Sequence, residues 1–203
     1  MPDLQGSHLR LRELRARDHT VYERIYTSHA LTRFLGVDRK SPEEAHDAFT
    51  AALAQQHAHP RRRYTVAVCP PDDDRMIGTI GLLVEDYGRN AMLTGLVVVP
   101  DAPVRGQAHE AGRLLMAYGF GPLGLHRIWA GHRADHTRMS TVMSAAGLLP
   151  EARLRQLFRT QDTWHDVTTY SALAPQWRED ASQGELRILH GAMALTAERG
   201  TAP

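Results

Sequence analysis

The chain has 203 residues, 42% of them hydrophobic and 23% charged, with a formal net charge of +1. Those values fit one globular domain with a substantial core, and they give no electrostatic reason to bind nucleic acid or a membrane surface. The single cysteine, Cys69, excludes an intramolecular disulfide or a cysteine-based zinc site within one chain, and the absence of a signal peptide or a bilayer-length apolar run makes the cytoplasm the expected location.

Residues 7–13 alternate apolar and polar, which predicts a first strand. Asp18 stands as a helix N-cap ahead of Val21, Ile25 and Tyr26. Ser41-Pro42-Glu43-Glu44 is a compact helix start, with a capping serine, proline in the first turn and acids at the positive end of the dipole. That helix should run to about Gln56, followed by a strand from Tyr64 to Cys69. Turn residues at 70–74 and 87–90 bracket a strand from Met76 to Val84, which should pair as a hairpin with a strand from Met92 to Val99. A helix over 106–119, a strand over 126–132 and a helix over 137–146 follow. A hairpin with strands near 152–159 and 165–173 closes the series. Residues 182–199 carry an apolar stripe, Leu186, Leu189, Met193 and Ala197, at helical spacing. That helix either packs on its own domain or is merely frayed, or else serves as a dimer contact or a flap over the acceptor cleft. The expected division is a domain over residues 1–175 and a helical extension over 176–203.

The segment from Gly95 to Ala111 is the most informative. A buried strand ends at Pro100, and a loop leads into a helix through Arg105-Gly106-Gln107-Ala108. Glycine at a helix entrance lets backbone N–H groups approach a phosphate closely, assisted by the helix dipole. Glu110-Ala111, Leu123-Gly124-Leu125-His126-Arg127, Ser140, Gly147, Glu151, Trp164-His165-Asp166 and Tyr170-Ser171-Ala172-Leu173 follow in order. This series, over roughly residues 7 to 173, resembles the acyl-CoA-dependent GNAT N-acyltransferases, most closely the branch that includes the ribosomal-protein N-terminal acetyltransferases. The family's Arg/Gln-x-x-Gly-x-Gly/Ala motif falls on residues 103–108. Gly106 and Ala108 match, and Pro103 replaces the leading Arg/Gln.

The resemblance implies a mixed α/β fold with a mostly antiparallel six- to seven-stranded sheet flanked by helices. It also implies acetyl-CoA or another acyl-CoA as co-substrate, no metal, and the primary amine of a small molecule or a protein N-terminus as acceptor. In the family, the strand before the phosphate loop is bulged and splays from its parallel neighbour. Its backbone, here Val97, Val98 and Val99, holds the pantetheine arm. Pyrophosphate contacts are implied for Val104, Arg105, Gly106, Gln107, Ala108 and His109. Thr137 takes the place of a frequent asparagine near the pantetheine. Ser140 matches the serine that protonates the departing thiolate. Many relatives have a glutamate two residues before the strand glycine, where this chain has Leu93. For the general base, Glu85 and Asp86 across the turn, and His132, Asp135 and His136 after the next strand, are the candidates. His132 and His136 straddle a strand end, so they do not form a helical metal-ligand pair.

With no activated Cys–His pair, transfer should proceed through a ternary complex. Pro103, Leu93 and the C-terminal helix leave two other readings open: an acyl-carrier-protein donor, as in tailoring of a natural product or resistance to one, and a non-catalytic acyl-CoA-binding module. A homodimer is a further expectation. The acceptor site should lie among the first two helices, the turn at 85–90 and the hairpin near 160–165.

Overall fold

A computed structural model describes residues 1–102 and 107–197, with side chains through residue 190. Its strands are β1 (Leu4–Gln5), β2 (Arg10–Glu13), β3 (Arg63–Cys69), β4 (Gly78–Val84), β5 (Asn90–Val98), β6 (Arg127–Arg133), β7 (Leu149–Thr160) and β8 (Thr163–Leu173). The helices are α1 (His19–Tyr26), α2 (His29–Thr32), α3 (Pro42–Gln55), α4 (Ala108–Phe120), α5 (Thr137–Ala145), α6 (Ala174–Glu179) and α7 (Gln183–Ala197). One mixed sheet carries the order β1-β2-β3-β4-β5-β6-β8-β7. Every pairing is antiparallel except β5 with β6. The strand beyond the expected six or seven is β1, whose two residues are too short to show alternation.

Local chemistry explains several boundaries. Ser41 Oγ accepts from Glu44 N–H at 3.1 Å, and the Glu44 carboxylate accepts from Ser41 N–H at 2.7 Å. This reciprocal capping box satisfies two orphan donors at the start of α3. Asp18 differs from its expected role. It makes no side-chain cap for α1, because Arg12 donates to both of its oxygens at 2.7 and 2.9 Å. Arg12 is fully buried, and Asp74 and the carbonyl of Glu13 engage its remaining donors. A buried guanidinium is tolerable only when its fork is filled in this way.

Helices α1 and α3 pack together on the sheet, and α4 packs with α5. From Ala111 to Phe120 every residue of α4 except Arg113 is buried. A helix apolar on all sides needs cover on all sides: the sheet lies on one flank and α7 on another. Gly121, at the end of α4, permits the close approach of α7, since a Cβ there would sit 2.7 Å from Leu189 Cα. Arg113 reaches across to Glu185 with two hydrogen bonds of 2.6 and 2.9 Å. Leu189 is buried and Leu186 packs against the core, so this part of α7 packs on its own domain. Met193 and Ala197 have no described side chains.

Candidate active site

The site starts from a defect in strand pairing. Thr79 pairs with Val97 and Gly81 with Thr94, so Gly95 and Leu96 on β5 oppose Ile80 alone on β4. Gly95 takes φ 60°, the left-handed conformation that glycine adopts without a steric cost. Thr79 Oγ1 donates to the carbonyl of Gly95 at 3.0 Å and pins the bulge. A bulge bends and twists its strand. The β5–β6 ladder accordingly holds only for Asn90 with Arg127, Ala91 with Ile128 and Met92 with Trp129. Beyond them the two strands separate and leave a gap.

Val97, Val98 and Val99 line the β5 side of that gap. Val97 and Val99 are buried and Val98 is half-buried. Val99 donates its N–H to the carbonyl of Ile77 at 2.8 Å. Alternation therefore turns the N–H and C=O of Val98 away from β4 and toward the gap. Helix α4 begins beyond the same end of β5. Gln107 occupies its N-cap position without a side-chain cap, and Ala108 and His109 open the helix. Val104, Arg105 and Gly106 lie outside the described residues, as does Pro103.

On the other side, β6 carries His132 near its end, and α5 starts at Thr137, which is exposed. Ser140, one turn into α5, places Oγ 3.3 Å from His132 Nε2. His132 Nδ1 lies 2.8 Å from the carbonyl oxygen of Arg133. The His132 ring is 4% exposed and stacks on Tyr170 with centroids 5.3 Å apart. His136 stacks on Phe34 at 4.0 Å. Burial, and then the neighbouring His132, push the His136 imidazole below its ordinary value of 6.5. Asp135 is held by Arg133 at 3.0 Å, and that hydrogen bond is the main cause that keeps its carboxyl below the usual range.

Glu85 and Asp86 are not brought to this place. They follow β4 and precede Asn90, so they sit where the β5–β6 ladder begins, whereas the gap opens where it ends. Glu85 accepts from Trp129 Nε1 at 2.9 Å. Trp129 and His132 differ by an odd number along β6 and face opposite sides of the sheet. Asp86 pairs with Arg62 on the surface. Leu93, at the relatives' glutamate position, is buried near Gly112 of α4.

An open cleft of ≈ 600 Å³ is lined by His29, Asp38, Arg39, Gln161 and Asp162. An adjoining recess of ≈ 100 Å³ reaches Arg133 and His165. Asp38 accepts from Gln161 N–H at 2.9 Å and ties the loop before α3 to the β7–β8 turn. The loop before α3 and the β7–β8 turn thus meet at this cleft, and no residue of α1, α3 or the turn at 85–90 lines it. No described group of three or more His, Cys, Asp or Glu residues is placed to hold a metal. No helix among the described residues is long and apolar enough to cross a membrane.

The family model described as an acetyltransferase (GNAT) domain matches residues 8–149. The chain belongs to the GNAT acetyltransferase family. It is an N-acyltransferase of that family, whose members draw the acyl group from acyl-CoA. The uncharacterized N-acetyltransferase YoaA of Bacillus subtilis (strain 168) is 27% identical to this GNAT chain over 178 residues, covering 86% of it and 98% of YoaA. The spermidine N-acetyltransferase of Vibrio cholerae, solved with CoA and spermine, superposes with TM-score 0.73 at 18% identity, covering 85% of this chain and 99% of that one. The ribosomal-protein-S5-alanine acetyltransferase of Vibrio fischeri gives TM-score 0.71 at 16% identity, over 87% and 99% of the two chains. These two likenesses show the shared fold.

Proposed function

We propose that this GNAT enzyme moves an acetyl or other short acyl group from acyl-CoA to the primary amine of a small molecule or a protein N-terminus, in the cytoplasm. The observation that carries the reading is the early end of the β5–β6 ladder, with the backbone of Val98 turned away from β4 beyond it and Ser140 one turn into the helix that follows β6. In this reading Val97–Val99 hold the pantetheine arm, and the segment from Val104 to His109 at the start of α4 takes the pyrophosphate. Thr137 borders the arm, and Ser140 donates a proton to the departing thiolate. Thioester cleavage needs such a donor because a thiolate leaves more readily as its charge is quenched. The amine arrives from the cleft between the loop before α3 and the β7–β8 turn.

The resemblance to the ribosomal-protein branch supports a protein N-terminus, and the spermidine acetyltransferase of Vibrio cholerae supports a polyamine. Mass spectrometry after incubation with acyl-CoA donors and a panel of polyamines, amino-acid amides and peptides with free N-termini separates the two. An acyl-carrier-protein donor run alongside tests the alternative source of the acyl group. A protein that bound neither acyl-CoA nor CoA would overturn the proposal. Gly106→Val should weaken CoA binding by at least about 100-fold, since it removes two or three charge-assisted hydrogen bonds worth roughly 1.5–3 kcal/mol each. Calorimetry on the folded variant checks this.

A further inference from the structure

His132 is a polar side chain on the apolar face of β6, beside the buried Ile128 and Ala130. An imidazole there costs free energy unless its nitrogens are engaged, and both are. The carbonyl of Arg133 can only accept, so Nδ1 carries the proton. When the ring is neutral, it presents the lone pair of Nε2 to Ser140. Stacking on Tyr170 fixes the ring plane. This geometry gives the Ser140 hydroxyl two settings. Against a neutral ring, Oγ–H points to Nε2 and only lone pairs face outward. Against an imidazolium, Nε2–H donates to Oγ, and the hydroxyl proton is free for a second acceptor.

We propose that His132 is the proton source behind Ser140, a positioning residue that sets the direction of the hydroxyl and replenishes its proton. The inference rests on the reading that Ser140 faces the departing sulfur. As the C–S bond of the thioester breaks, its electron pair stays on sulfur. The step starts from the imidazolium: sulfur takes the proton of Oγ, and Oγ takes the proton that the doubly protonated ring carries on Nε2. The imidazole ends neutral and regains a proton from the one lost by the amine nitrogen as it becomes an amide. The sum is amine plus acyl-CoA to amide plus CoA thiol, with no change of oxidation state.

The titratable and charged groups around the ring are Tyr170 on β8, His136 at 6.3 Å between centroids and the Arg133–Asp135 ion pair that follows in sequence. His136 is held toward its neutral form, which limits its repulsion of a charge on His132.

Nitrogen-15 NMR of histidine-labelled protein, assigned with His132→Gln, tests the tautomer directly. The His132 ring should be protonated at Nδ1 in the free protein. CoA should shift its Nε2 resonance, while desulfo-CoA should leave it in place, and Ser140→Ala should abolish the difference. A neutral ring protonated at Nε2 and not at Nδ1, or equal responses to the two ligands, would overturn the relay. Kinetics use acetyl-CoA with hydroxylamine, since the relay acts on the donor half of the reaction. Ser140→Ala, His132→Gln and the double variant should each lower kcat by roughly 100-fold, with unchanged CoA affinity and melting behaviour. The double variant should be no slower than either single one. If Ser140→Ala is slow and His132→Gln is as fast as the parent, or if the two losses multiply, the relay fails and the role of Ser140 stands. If Ser140→Ala is itself as fast as the parent, the reading of Ser140 fails.

Discussion

Arg12 shows how a single residue can fix the first turn of this fold. Its guanidinium is fully buried and donates to Asp18, Asp74 and two carbonyls, which joins β2, the turn before α1 and the β3–β4 connection. The hydrogen bond to Asp18 is the main reason its proton is held even more tightly than usual. Removing one partner leaves a buried charge short of two hydrogen bonds, so Asp18→Ala should lose about 3–5 kcal/mol. Urea unfolding at neutral pH measures this, and an unchanged midpoint would show that Asp74 alone suffices. The residue pattern Asp18-x-x-Val21 reads as a helix cap because capping is a local preference, whereas the arginine that claims the carboxylate comes from the preceding strand. The proposed role of Ser140 comes from its place in the ordered series of matching residues. Its contact with His132 was not legible there, because it depends on where a strand stops and how the following helix is rotated. Glu85 and Asp86 show another effect of the tertiary arrangement: they adjoin the strand in sequence, but a hairpin turn lies at the start of its second strand, and the ladder with β6 ends at the other end.

At the level of elements, alternation and capping signals were enough to locate the main strands and helices within a few residues. The splay of β5 was implied by family resemblance, and the structure supplies its local cause in the two-against-one pairing at Gly95. Gly95→Ala tests that cause. A Cβ there must tolerate φ 60° and would lie 3.3 Å from the Tyr26 hydroxyl. The left-handed conformation alone costs roughly 1–2 kcal/mol for a residue other than glycine. The variant should therefore unfold at lower urea and bind CoA less tightly, as β5 shifts toward regular pairing. Loss of stability without any change in CoA affinity would separate the bulge from the binding gap. The stripe on α7 was visible at helical spacing, but its destination was not. Both apolar flanks of α4 read as helix core, and which neighbour covers each is a tertiary choice. Gly121→Val should force α4 and α7 apart, costing about 1–3 kcal/mol through overpacking. Thermal melting reads this, and tolerance of the valine would mean that α7 is held by Arg113–Glu185 rather than by close backbone contact.

Across the whole molecule, these contacts make stability fall in two stages on acidification. Burial and the nearby His132 depress His136 below 6.5. The unfolded chain then binds this proton at a higher pH than the folded one, so stability declines as pH falls from about 6.5 toward the folded value. The second stage belongs to Glu13 and Glu185. Burial raises both, but Arg61 and the N-terminus outweigh it for Glu13, and Arg113 and Ser182 outweigh it for Glu185. Each therefore ends below 4.5, and its stabilising share is present above that pH and lost as pH falls through the folded value. The chain has 12 histidines, so the two stages are best resolved as differences between variants. His136→Phe keeps an aromatic ring to stack on Phe34 and should remove part of the decline between pH 7 and 5. Glu185→Gln should lower stability at pH 7 and converge with the parent below pH 4. Urea unfolding from pH 8 to 3.5 measures both differences. If the parent and His136→Phe ran parallel from pH 7 to 5, His136 would not be taking up its proton at the expense of the fold. A Glu185→Gln curve parallel to the parent to pH 3.5 would show that α7 is held by apolar packing alone.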